Sequence, residues 1–230
     1  MEFFRERGKN MLIALFLRFF VVAVVITSVV LYISGVKLRT KNKNNMKHSF
    51  VFLADGFEEI EAVTPVDVMR RAGLDVKTVS INDSHVVTGA HGVKYTADML
   101  MSDVPAADIQ WLVLPGGMPG AENLYNCKPL AELLRRHAAD GGKIAAICAS
   151  PGVVLGQLGL LEGKEATCYP GFEGMLGEKC FHVPVPVVSA ENVVTGNGPA
   201  AALPFSLAIV AATLGEGPAK EIASQMQMPK

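Results

Sequence analysis

A chain of 230 residues, half of them apolar, is long enough for one substantial α/β domain with its own core and too apolar for a disordered segment. The formal net charge is −1 at pH 7, so no electrostatic footprint for nucleic acid is present and none is expected as a partner. Cys127, Cys148, Cys168 and Cys180 form no C-x-x-C pair and no Cys/His cluster with zinc spacing, so they read as free thiols in a reducing compartment, with no metal and no cofactor expected.

Residues 1–45 differ from the rest. Phe19 to Ser34 is an uncharged, β-branched apolar run, bordered by Arg18 and by Lys37, Arg39, Lys41 and Lys43. At about 1.5 Å per residue, such a run barely spans a hydrocarbon core of roughly 30 Å. No small-residue cleavage site follows it. Two readings stand. One is an uncleaved membrane anchor whose basic flank keeps the following domain in the cytoplasm. The other is a misassigned start, with Met46-Lys47-His48 opening the true chain as a cytoplasmic protein. A membrane is a partner only in the first case. Residues 46–230 form the α/β domain in both.

The elements then alternate. Ser49 to Ala54 is predicted as a buried strand, Asp55-Gly56 as a turn and Phe57 to Ala72 as a helix stopped by Gly73. Asp75 to Ile81 is a second strand. His85 to Thr88 and Val93 to Thr96 form a hairpin around Gly89 and Gly92. Trp111 to Leu114 is a strand ending in Pro115-Gly116-Gly117, and Leu130 to Ala139 is a helix. Lys143 to Ile147 is a strand followed by a helix over Pro151 to Gln157. Late strands fall at Val185 to Ser189 and Asn192 to Thr195, and helices at Ala200 to Leu214 and Ala219 to Gln227. This alternation implies a mostly parallel sheet with helices on both faces and functional loops at the carboxyl ends of its strands.

Two strand ends carry chemistry. In Ile147-Cys148-Ala149-Ser150-Pro151 a buried strand runs into a cysteine, small residues and a helix start. This is the plan of a nucleophile elbow with Cys in place of Ser. The following helix N-terminus is expected to lower the thiol pKa. The bland alternative is a buried structural cysteine. In Leu114-Pro115-Gly116-Gly117 the glycines let the backbone approach a ligand and present N–H groups. If the two strand ends are neighbours, the N–H groups of Gly117 and Ala149 form an oxyanion hole, with Gly116 beside them.

The helix opening Phe57-Glu58-Glu59-Ile60-Glu61 is acidic. Glu58 and Glu59 suit a first turn, where the helix dipole favours negative charge. Glu61 shares a side with Phe57, Pro65 and Val68. If that side faces the sheet, its carboxyl is buried, its pKa is raised and it can shuttle a proton. Otherwise it is a solvated first-turn glutamate. His48, His85, His91, His137 and His182 read as surface histidines, with a spatial Cys148–His182 dyad as the alternative.

From Met46 onward the sequence resembles the ThiJ/PfpI family, the superfamily of the parkinsonism-associated protein deglycase, with a pattern nearest bacterial YajL. The stretches that carry the resemblance are LADGFEEIEAVTPVDVMRRAGLDV, VLPGGMPGAENL, IAAICASPGVVL and EIASQM, in the family's order. The resemblance implies a flavodoxin-like three-layer α/β sandwich, akin to class I glutamine amidotransferases and usually homodimeric. It also implies that Cys148 is the reactive cysteine, Glu61 the glutamate that hydrogen-bonds it, and Gly117 and Ala149 the N–H donors. Two departures narrow the expected chemistry. Peptidase relatives have His where Ala149 stands, which counts against a peptidase. Some relatives have a His in a Thr-His-Pro motif where this chain has Cys168-Tyr169-Pro170, leaving Tyr169 as an accessory candidate.

Three functions follow from this reading. The first is a cysteine-dependent, cofactor-independent glyoxalase or deglycase acting on small reactive carbonyls such as methylglyoxal. The second is a redox-sensing stress protein or chaperone that oxidises the same cysteine. The third is the family's older label, thiazole monophosphate biosynthesis, which no residue supports.

Overall fold

The computed structural model describes residues 47–228, and the candidate anchor or upstream segment lies outside them. Among the described residues, no helix is long and apolar enough to cross a membrane. The chain runs through β1 (His48–Leu53), α1 (Glu59–Arg71), β2 (Asp75–Ser80), β3 (Val86–Thr88), β4 (Lys94–Thr96), β5 (Met99–Leu100) and β6 (Ile109–Leu114). It continues through α2 (Gly120–Asn126), α3 (Lys128–Ala139), β7 (Lys143–Ile147) and a π-helix (Pro151–Gly156). Two short strands, β8 (Glu165–Ala166) and β9 (Phe181–His182), precede β10 (Val187–Ala190), β11 (Val193–Gly196), α4 (Ala202–Leu214) and α5 (Glu216–Gln225).

Seven strands make the main sheet in the order β10-β11-β7-β6-β1-β2-β5. All its pairings are parallel except β10 with β11. The period-two alternation of each central strand feeds two cores. Val51, Leu53, Trp111, Val113, Ala145 and Ile147 pack with α1, α4 and α5 on one face. Phe50, Phe52, Leu112, Leu114, Ile144 and Ala146 pack with α2 and α3 on the other. The predicted hairpin is β3 paired antiparallel with β4. It rests on the entrance to α1, where Gly56 N–H donates to Thr88 O at 2.8 Å and Ala90 N–H to Phe57 O at 2.8 Å.

Several expectations are corrected. The segment after β7 is a single π-helical stretch of six residues rather than an α-helix. The sequence reading passed over α2, which begins directly after the glycine loop, and over the short strands β5, β8 and β9. His137 is buried, not a surface residue: its Nε2 lies 3.2 Å from Lys143 O and burial pulls its pKa below the ordinary imidazole value.

Candidate active site

The neighbouring parallel strands β6 and β7 end side by side, with Leu114 opposite Ala146. The chain therefore leaves β6 as Pro115-Gly116-Gly117 next to the point where it leaves β7 as Cys148-Ala149-Ser150. Cys148 has φ +64, a left-handed conformation uncommon for a residue with a Cβ. Surrounding bonds hold it there: its N–H donates to Gly196 O at 2.9 Å and its carbonyl accepts from Tyr169 N–H at 2.8 Å. Such a geometry persists only where neighbours over-determine it, and it turns the side chain away from the line of the strand.

Glu61 reaches this point from α1, one helix turn past Glu58, and is fully buried. The alternative of a solvated glutamate is thereby excluded. Its Oε2 accepts the Gly116 N–H at 2.9 Å, and the carboxyl lies near enough to the Cys148 thiol for each to shift the other's pKa. The backbone N–H groups of Gly117 and Ala149 favour the thiolate form of Cys148. The glycines are required by space. A Cβ on Gly116 would lie 2.6 Å from Cys148 Cβ and 2.8 Å from Glu61 Oε2. Gly117 has φ +85, and a Cβ there would lie 2.5 Å from the backbone N of Glu58.

The electrostatics differ from the expectation of a thiol acidified by a helix. Burial first, then the Glu61 carboxylate, push the Cys148 thiol up to about 12, while the Gly117 and Ala149 N–H groups act in the opposite direction. Burial raises Glu61 to about 7, against the lowering effect of its bonds to Gly116 and Cys148, and the nearby Glu58 charge raises it further. The two groups are coupled, and between those limits the pair holds one proton. When that proton rests on Glu61, the repulsion that disfavours the thiolate disappears and a neutral acid faces a sulfur anion held by two N–H groups.

Two contributing residues escaped the sequence reading. Glu58 is not a first-turn residue but the N-cap of α1: its Oε2 accepts Glu61 N–H at 2.7 Å, and its own N–H donates to Gly116 O at 3.0 Å. The Glu-x-x-Glu spacing that opens the helix was the available signal. Ser150 is fully buried, and its Oγ donates to Pro115 O at 2.6 Å. Tyr169 borders the site through its backbone bond to Cys148, with its ring 45% exposed and edge-on to Phe172. His182 is exposed on β9, and the groups acting on the sulfur are Glu61, Gly117 and Ala149.

Comparison with known proteins places the chain in a family. The model of the DJ-1/PfpI family matches residues 47–212. The chain belongs to the DJ-1/PfpI family. It is 39% identical over 185 residues to Protein DJ-1 homolog B of Arabidopsis thaliana, matching 80% of this chain and 42% of that relative. The chain thus spans less than half the length of that plant protein. It is 35% identical over 164 residues to the glutathione-independent glyoxalase DJR-1.2 of Caenorhabditis elegans, covering 71% of this chain and 85% of that one. The structure of oxidised Toxoplasma gondii DJ-1 superposes with a TM-score of 0.77 at 38% identity, covering 80% of this chain and all of that one. The flavodoxin-like architecture is shared with these DJ-1 structures.

Proposed function

We propose that this member of the DJ-1/PfpI family is a cofactor-independent enzyme of glyoxalase or deglycase type, acting on small reactive carbonyls through Cys148. The observation that carries the reading is the fully buried Glu61 carboxyl, held by the Gly116 N–H at 2.9 Å where it faces the left-handed Cys148 turn, with the Gly117 and Ala149 N–H groups favouring the thiolate.

The Cys148 thiolate adds to the aldehyde carbon of methylglyoxal, forming a C–S bond and an oxyanion held by the Gly117 and Ala149 N–H groups. Glu61 gives its proton to that oxyanion, leaving a hemithioacetal and a carboxylate. The carboxylate then removes the proton from the former aldehyde carbon and delivers it to the neighbouring ketone oxygen, giving an enediol. It next takes the proton of the first-carbon hydroxyl, whose oxygen becomes the thioester carbonyl, and returns it to the neighbouring carbon, giving a lactoyl thioester. Water cleaves the C–S bond, releasing lactate and restoring the thiol and carboxyl pair. The full chain should therefore convert methylglyoxal to lactate without added glutathione or metal. Lactate that forms only when glutathione is supplied would overturn the proposal.

A second use of the same thiol has its own support. The Glu61 Oε1 atom is buried and makes no hydrogen bond, so a protonated Glu61 can donate from it to an oxygen of the oxidised sulfur. Mild peroxide should then convert Cys148 to the sulfinate before the other three cysteines react, as peptide mass spectrometry would read. Earlier oxidation of Cys127, Cys168 or Cys180 would count against it.

A further inference from the structure

We infer that Ser150 is a positioning residue, whose hydroxyl locks together the two backbone segments that supply the sulfur with its hydrogen-bond donors. The inference rests on the thiolate reading above. One donor, the Ala149 N–H, lies on the turn that carries Cys148, and the other, the Gly117 N–H, lies on the separate loop that follows β6. The aligned strand register stops at Leu114 opposite Ala146, so it does not fix the relative placement of the two loops beyond that point.

Ser150 spans the gap. It directly follows Ala149, and its fully buried Oγ donates at 2.6 Å to the carbonyl of Pro115, two residues before Gly117. The Gly116 peptide between them is held from the far side, its carbonyl by Glu58 N–H at 3.0 Å and its N–H by Glu61 Oε2 at 2.9 Å. The loop is thus pinned to α1 on one side and to the elbow on the other, and Ser150 supplies the elbow side. Ser150 and Glu61 thus grip the two ends of the Pro115–Gly116 peptide, and Glu58 grips the next one, whose N–H is that of Gly117. With φ +85 and no side chain at Gly117, the placement of that N–H depends on both peptides being held.

The test is Ser150→Ala, read by the pH dependence of iodoacetamide alkylation at Cys148, followed peptide by peptide, and by the kcat and KM for methylglyoxal. The expected result is an alkylation profile moved about one pH unit upward, which corresponds to about a tenfold loss of thiolate at neutral pH. The expected kcat falls about tenfold with KM within about twofold, because the donors act on the developing oxyanion more than on bound substrate. Val153→Ala serves as the control. It removes buried volume from the cluster of Ala121, Ala149 and Val153, and should lower Tm without moving the profile. Ser150→Cys, a weaker donor of similar size, should fall between wild type and alanine, and it carries the test if the alanine variant does not fold. An unmoved alkylation profile in the folded variant, or a shift no larger than that of Val153→Ala, would reduce Ser150 to a packing residue. Alkylation needs no carbonyl turnover, so a wild-type chain that makes no lactate would refute the glyoxalase proposal while leaving this inference to be decided by the profile.

Discussion

Replacing Cys148 with serine is expected to lower lactate formation from methylglyoxal by at least about a thousandfold while moving Tm by no more than about 4 °C. The two parts of this result have different causes. Serine keeps the shape of the side chain, and the backbone that enforces φ +64 is held by Gly196 and Tyr169 rather than by the sulfur. The packing at this 9% exposed position is therefore largely retained. The nucleophile, however, is lost. A serine hydroxyl is far less acidic than a thiol, and Glu61, with a pKa of about 7, is too weak a base to ionise it. Lactate measured enzymatically, beside a calorimetric scan of the same sample, checks both parts. A variant within about tenfold of the wild-type rate would remove Cys148 from the chemistry.

Glu61→Gln is expected to slow turnover by about a hundredfold to ten-thousandfold and yet to make the protein more stable at pH 8. The sign follows from linkage. Burial raises the folded-state pKa of Glu61 from 4.5 to about 7, so the folded chain binds a proton more tightly than the unfolded chain does. Stability from this group is present below pH 4.5 and is lost as pH rises through 7. The loss is on the order of 3 kcal/mol, at 1.36 kcal/mol per pKa unit. Glutamine never ionises. Its carbonyl can still accept the Gly116 N–H, and its amide can face the sulfur. The variant should therefore show little of the wild-type decline in Tm between pH 5 and 8, although it can no longer carry a proton between two carbons. Equal slopes of Tm against pH in the two proteins would mean that Glu61 is not the buried acid described above.

Much of the fold was legible because the sheet is buried on both faces and its central strands are short, nearly continuous apolar runs. The runs around Phe52, Leu112 and Ala145 could be placed within a residue or two. The Gly-rich exit from β6 and the small residues after Cys148 also marked the two loops correctly, since only residues of that size fit where Gly116 meets Cys148 Cβ and Glu61 Oε2. Glu61 was legible only in part. Its spacing with Pro65 and Val68 named the face, but whether that face met the sheet depended on tertiary packing.

The sequence misled most over the sulfur. A helix start beside a cysteine suggests a lowered pKa, and a helix terminus contributes about 1 kcal/mol. The rise from 9.0 to about 12 corresponds to about 4 kcal/mol and comes from burial and a like charge, neither of which local spacing reveals. The element itself is a six-residue π-helix, too short for a large dipole. Ser150 and Glu58 were missed for a related reason. Ser150 Oγ and the Glu58 N–H each bond a carbonyl of the loop after β6, distant in sequence, and no side-chain pattern records those contacts; only the local cap of Glu58 was signalled, by its Glu-x-x-Glu spacing.

The assembly of this site from Glu61, Gly117 and Cys148 has a consequence for biosynthesis. No local stretch of the chain contains the reactive group. The bond between Glu61 and Gly116 closes a loop of 55 residues, and Cys148 is fixed only when Gly196 of β11 receives its N–H. As the polypeptide leaves the ribosome, the thiol therefore emerges as an ordinary cysteine without a proton partner. Its chemistry begins only after β11 has been made and the parallel strands have found their register, a slow event for contacts so distant in sequence. By topology alone, the appearance of a Glu61-coupled thiol marks completed folding.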